Sequence, residues 1–316
     1  MGSAPLRLAV VGAGVMGTRH ARLVSESDRA RLEVVVDPDA GRAERLAGKA
    51  GARAATSLAA AAGCQAAVVA TPPETHRAVA VQLLAAGVPA LVEKPLACDL
   101  GDAEAIVVAA ERGGVPLTCG FVERFSPVTR AALALLDADP LHVLALRHSP
   151  PDERVTIGVV HDLLIHDIDL ALRYGGGAVA DARGTSWTPP GGRVPELADA
   201  TLRLAGGMVA TLSASRVGQR KVRSFLVTTP AKAIELDLVR QDITVYRHVR
   251  QGPPADGGPG YQAETIVDIP FVRGAAEPLG LQLAHFLDLV EGRADAAEER
   301  RGLLPPHQVA AQVAAG

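Results

Sequence analysis

The hydrophobic pattern changes character partway along the chain. Up to about residue 120, short apolar runs recur without period-two alternation: Leu6–Val11, Glu33–Val36, Ala66–Ala70, Ala90–Val92 and Pro116–Gly120. Unbroken runs of this kind read as strands covered on both faces, the condition of a parallel sheet. Between them, residues 15–27, 39–50, 74–86 and 99–112 read as helices, with Gly87 closing one and Asp99 placed to cap the next. Strand–helix alternation in this rhythm predicts a doubly wound α/β domain, the Rossmann arrangement, over residues 1–120.

Past Gly120 the rhythm breaks. Residues 121–136 and 159–173 pattern as helices, and from about residue 178 the chain reads as strands joined by turns. Leu202–Leu212 holds two short alternating runs about Gly206-Gly207, a hairpin signal. Val222–Thr228, Ala233–Leu238 and Ile243–Arg247 continue as strands, so residues 121–316 are expected to form an α+β domain on a mostly antiparallel sheet. Pro189–Gly192 and Gly252–Gly260 read as loops. Residues 279–291 are apolar at helical spacing and end at Gly292.

Composition narrows the function. The 316 residues fit two domains, with 32 basic against 35 acidic side chains and 3% aromatics. Neither the charge nor the ring content suits nucleic acid or an anionic membrane surface. No run approaches the roughly 18 apolar residues of a membrane span. Met1–Leu6 has no signal-like apolar region, and the expectation is a soluble cytoplasmic protein. Cys64, Cys98 and Cys119 have no zinc-ligand spacing and read as idle thiols.

Two patterns point to chemistry. Gly12-Ala-Gly14-Val15-Met16-Gly17 follows the first strand and opens a helix. There the first glycine permits the turn, the second lets backbone approach a pyrophosphate, and the third lets helix pack on strand. Asp37 ends the second strand 20 residues beyond Gly17, where a carboxylate can accept the ribose hydroxyls and repel the 2′-phosphate of NADP. NAD is therefore expected over NADP. Ala70-Thr71-Pro72-Pro-Glu-Thr-His76 reads either as a proline-stopped strand with a helix start or as a loop over the cofactor. Thr71, Pro72 and His76 are its candidate contacts, and Glu93 with Lys94 at the next strand end adds two more.

The second pattern is His161-Asp162-Leu-Leu-Ile-His166-Asp-Ile-Asp169. On a helix Asp162, His166 and Asp169 share a face. Histidine suits a general base near neutral pH, a carboxylate one turn away can orient it, and Lys94 can stabilise a developing alkoxide. A metal site is the rival reading, weakened by the absence of a zincin-type H-E-x-x-H, and no metal is assigned. Arg124, Arg147, Arg154 and Arg216 are candidates for a substrate phosphate or carboxylate, and His161 for a substrate contact.

These motifs occur in an order that resembles the Gfo/Idh/MocA oxidoreductases: the glycine loop, Thr71-Pro72, Glu93-Lys94-Pro95 and Asp162-x-x-x-His166-Asp-Ile-Asp169. The likeness extends to Gly120–Pro127, Ala214-Ser-Arg216 and the helix from Glu277-Pro-Leu to His285-Phe286. It implies Lys94, Asp162 and His166 as the catalytic group, a closing helix over 279–291 that packs on the first domain, and an open sheet supporting a homodimer or homotetramer. Arg147-His-Ser-Pro150, Ile165–Asp169 and Lys221-Val-Arg223 resemble members acting on nucleotide-linked amino sugars at C3. The implied activity is hydride transfer between a nicotinamide and a secondary alcohol of a sugar, nucleotide sugar or cyclitol. Two alternatives stay open: transient oxidation without net redox change (epimerase or elimination chemistry), and a regulatory protein that binds a dinucleotide without turnover.

Overall fold

In the computed structural model, which describes residues 4–152, 155–250, 263–272 and 277–316, the chain forms two units. Arg154 and the Gly252–Gly260 loop lie outside the described residues. The first unit runs to Phe125 and takes up the chain again as far as Ala311; the second starts at Ser126 and includes Gln312–Gly316.

The first unit carries β1 (Leu6–Val11), α1 (Val15–Ser25), β2 (Ala30–Val36), α2 (Ala40–Ala50), β3 (Arg53–Ala55), β4 (Ala66–Val69), α3 (His76–Ala85), β5 (Ala90–Val92), α4 (Leu100–Gly113) and β6 (Leu117–Cys119). All six strands are parallel, in the order β3-β2-β1-β4-β5-β6. The order reverses between β1 and β4, which is where an open α/β sheet offers a crevice for ligands beyond its carboxyl edge. The unbroken apolar runs have their cause here: every residue of β4 and β5 is buried, with helices on both faces. Side chains set the helix starts as well. Asp39 accepts the Arg42 N–H at the head of α2, and Asp99 accepts those of Gly101 and Asp102 at the head of α4.

The second unit carries α5 (Pro127–Ala134), β7 (His142–His148), a π-helical turn (Val160–Leu164), α6 (Ile165–Tyr174), and strands β8 (Val179–Trp187), β9 (Leu197–Leu204), β10 (Val209–Ser215), β11 (Val222–Thr228), β12 (Ala233–Asp237), β13 (Asp242–Arg250) and β14 (Ala263–Asp268). The sheet order is β14-β13-β12-β11-β7-β10-β9-β8, antiparallel throughout except for β7 against β10. Val143, Ala145, Ala210, Leu212, Phe225 and Ile234 fill its inner face, which α5 and α6 cover. Residues 121–136 are not one helix: a 3-10 turn at Val122–Phe125 precedes α5, because Pro127 is accommodated in a helix only at its first turn.

The chain ends with α7 (Pro278–Val290), α8 (Ala296–Arg301) and α9 (Leu304–Ala315). Leu279, Leu283, Phe286 and Leu287 of α7 join the core formed by Leu8 and Val10 of β1 and Ala21 and Val24 of α1. Burial of each such side chain is worth about 1.5–3 kcal/mol, enough to hold a helix that short in place.

Candidate active site

Every motif of the first unit follows a strand at the same, carboxyl edge of the sheet. The glycine loop follows β1, Asp37 follows β2, Thr71-Pro72 follow β4, and Glu93-Lys94 follow β5. Gly12 has φ +98°, and a Cβ there would stand 2.5 Å from the Ala70 carbonyl oxygen. A Cβ on Gly17 would stand 1.8 Å from the Gly12 oxygen. Gly14 differs: a Cβ there meets nothing within 4 Å, so its backbone faces open space. Beside it Val15 is exposed and Met16 half-buried, and the first-turn N–H groups of α1 have no acceptor within the helix. This cradle fits a pyrophosphate.

Asp37 is buried, and its carboxylate accepts the Ala13 N–H at 2.7 Å and the Asp39 N–H at 2.9 Å. Each oxygen keeps a second lone pair for a ribose hydroxyl. The acid thus fixes the glycine loop.

Two residues expected at the cofactor make internal contacts. The fully buried His76 ring lies 2.9 Å from the Pro95 oxygen and 3.0 Å from the Thr71 oxygen, so it ties the Thr71-Pro72 loop to the Lys94-Pro95 turn. Burial lowers its pKa, which keeps the ring neutral. Glu93 is buried too: its Oε1 pairs with His20 Nε2 at 2.7 Å, and its Oε2 accepts the Lys94 N–H at 3.3 Å. His20, on the inner face of α1, was not singled out by the sequence. Lys94 itself is half-buried, held between Glu93 and a buried, cis-linked Pro95.

In the second unit the His161–Asp169 motif straddles the π-turn and α6, which is buried on nearly all sides. The wide turn carries His161 and Asp162; π-turns within helices are frequent at functional sites. His166 is 8% exposed, and Asp169 lies in the interior. His161 is half-buried, and burial lowers its pKa. Among the described residues no group of three or more His, Cys, Asp or Glu could hold a metal, and no helix is long and apolar enough to cross a membrane.

The arginines behave differently from the expectation of ligand contacts. Arg147 forms a bidentate pair with Asp167, at 2.9 and 2.8 Å, with both side chains 2% exposed. Arg124 lies over the Phe121 ring, donates to the Gly302 carbonyl at 2.8 Å and pairs with Glu299. Arg216 donates to Asp162 and to Glu196 from a buried position. All three guanidinium groups pair with internal carboxylates. Glu196, at the start of β9, escaped the sequence reading because nothing local distinguishes it from a surface glutamate.

Comparison with known proteins agrees with this fold. Residues 6–121 match the family described as "Oxidoreductase family, NAD-binding Rossmann fold", and residues 141–232 match the GFO/IDH/MocA C-terminal domain. The UDP-N-acetylglucosamine 3-dehydrogenase of Acidithiobacillus ferrooxidans is 30% identical over 263 residues, covering 83% of this chain and 82% of that protein. Its solved structure superposes with a TM-score of 0.84 over 99% of both chains. The myo-inositol dehydrogenase Hyg17 of Streptomyces leeuwenhoekii is 36% identical over 67% of this chain and 70% of its own length. The chain belongs to the Gfo/Idh/MocA oxidoreductases, with a Rossmann domain that takes a nicotinamide dinucleotide.

Proposed function

We propose that the protein is an NAD-dependent dehydrogenase that oxidises a secondary hydroxyl of a sugar, nucleotide sugar or cyclitol. The observation that carries the cofactor choice is Asp37, a buried carboxylate at the end of β2 whose charge opposes a 2′-phosphate. The substrate class follows from the relatives, dehydrogenases of UDP-N-acetylglucosamine and of inositol. A nicotinamide dinucleotide held by the Gly12–Gly17 loop and Asp37 would supply the hydride acceptor for the substrate carbon.

This chain's residues do the rest. His166 removes the hydroxyl proton, a step that general bases accelerate by about 10²–10⁴-fold. Lys94 stabilises the negative charge that develops on the oxygen. Asp162 orients His166 and is itself paired with the Arg216 guanidinium. Arg124 and Arg147 are engaged in internal pairs.

The test is a substrate panel with NAD and NADP, followed by the near-ultraviolet absorbance of the reduced nicotinamide. UDP-N-acetylglucosamine leads the panel, followed by other nucleotide sugars, sugar phosphates and inositols. Reduction of NAD by a member of the panel, and slower reduction of NADP, is the expected result. Tight NAD binding with no reduction by any of them would favour a binding protein without turnover. Interconversion of substrates with no accumulation of reduced cofactor would favour transient oxidation.

A further inference from the structure

We infer that Arg216 is a positioning residue for the reaction: it sets the orientation and charge of Asp162, and Glu196 balances it from the other side. The inference rests on the catalytic role proposed for Asp162.

Arg216 follows the last residue of β10, and Glu196 precedes the first residue of β9. The antiparallel register that pairs Ser215 with Leu197 brings them together, and the Arg216 N–H donates to the Glu196 carbonyl at 2.8 Å. The side chains meet as well. Nε donates to Glu196 Oε2 at 2.7 Å and Nη2 to Glu196 Oε1 at 3.2 Å, a forked charge-assisted pair. Nη1 turns the other way and donates to Asp162 Oδ2 at 3.1 Å. Nη2 also donates to the carbonyl oxygens of Ile157, at 2.8 Å, and Pro195, at 3.5 Å.

One buried guanidinium therefore holds two carboxylates and two carbonyls, that of Ile157 in the segment leading into the π-turn and that of Pro195 before β9. Its side chain is 2% exposed, against 14% for Asp162 and 25% for Glu196. The desolvated cation sits deepest, and the two acids reach outward from it. Asp162 needs such a hold because its turn is irregular: its N–H and that of His161 both converge on the Gly158 carbonyl, at 3.1 Å each. The Val159 N–H is tied to Pro195, and Gly158 packs beneath the same proline. A structural clamp alone would need only the two carbonyl bonds. The direct contact to Asp162, with a second acid partly neutralising the cation, is an arrangement that adjusts the acid itself.

Among the described residues, Arg216 pairs with Asp162 and with Glu196, and His161 and His166 belong to Asp162's own segment. Removing the Arg216 cation takes a positive charge from beside Asp162; removing the Glu196 charge leaves that cation less balanced. The experiment is the pH profile of kcat and of KM for three variants beside the native enzyme, with melting temperature and NAD affinity as controls. Arg216→Gln is expected to lose about 10–100-fold in kcat near neutral pH, from one lost charge-assisted bond, and to move the acid limb upward. Arg216→Lys should recover part of the loss. Glu196→Gln, which keeps the hydrogen-bonding shape, should move the acid limb the opposite way with little change in melting temperature. Asp162→Asn separates this inference from the reading beneath it. If Asp162→Asn turns over normally, the role of Asp162 fails. If Asp162→Asn is inactive while neither Arg216→Gln nor Glu196→Gln moves the acid limb, Arg216 is only a clamp and the inference is overturned. Should Arg216→Gln not fold, the direction of the Glu196→Gln shift decides alone.

Discussion

The Asp37 carboxylate accepts the backbone N–H of Ala13 at 2.7 Å, so the acid that ends β2 holds the loop that ends β1. In the proposed reading one side chain joins two tasks, shaping the phosphate cradle and facing the ribose. Asp37→Ala loses a charge-assisted hydrogen bond of about 1.5–3 kcal/mol along with the ribose contact. Titration calorimetry is expected to show NAD affinity down at least about tenfold, with the preference over NADP narrowed.

The glycines of the loop separate folding from cofactor binding. Gly14→Ala places a methyl group where no atom stands within 4 Å, so the melting temperature should hold while NAD affinity falls. Gly17→Ala drives a Cβ to 1.8 Å from the Gly12 oxygen, and overpacking of this kind costs about 1–3 kcal/mol or more. It should lower the melting temperature directly. Thermal melts with and without NAD check both outcomes.

Much of this was legible in the sequence, for a physical reason. Strands buried on both faces must be apolar throughout, and a turn that approaches phosphate needs glycine at fixed offsets, so the parallel sheet and its loop are written locally. What escaped is written over distance or against the pattern. β3 is a three-residue edge strand, Arg53–Ala55, too short and too polar to register. β7 turns Val143, Ala145 and Arg147 inward and leaves Leu144 partly exposed, the reverse of the usual division between leucine and arginine. The pairs that brace the site, His20 with Glu93 and Arg216 with Asp162, span 73 and 54 residues, beyond any local window.

Acid stability turns on Glu299. Burial raises its pKa, but the hydrogen bond from His285, the charge of Arg124 and the hydroxyl of Thr118 more than reverse that and bring it to about 2, from an ordinary 4.5. A carboxyl with a depressed folded-state pKa binds protons more readily in the unfolded chain. Its contribution, on the order of 3 kcal/mol, is present above pH 4.5 and is lost as the pH falls toward about 2. Denaturant melts over this range should show Glu299→Gln less stable than the native protein at neutral pH, with the gap closing in acid.

The Arg147–Asp167 pair offers a stability test next to the motif. Removing one partner strands a buried charge, which costs about 3–5 kcal/mol. Asp167→Ala should lower the urea midpoint accordingly, and replacing both residues by apolar side chains of similar volume should restore most of it.

The most direct test of the central claim is the turnover of His166→Ala measured beside its affinity for NAD. Removing a general base should cut kcat by about 10²–10⁴-fold on whichever sugar, nucleotide sugar or cyclitol the native enzyme oxidises, with NAD affinity unchanged. Native turnover in that variant, or a loss explained entirely by failure to bind NAD, would contradict the account.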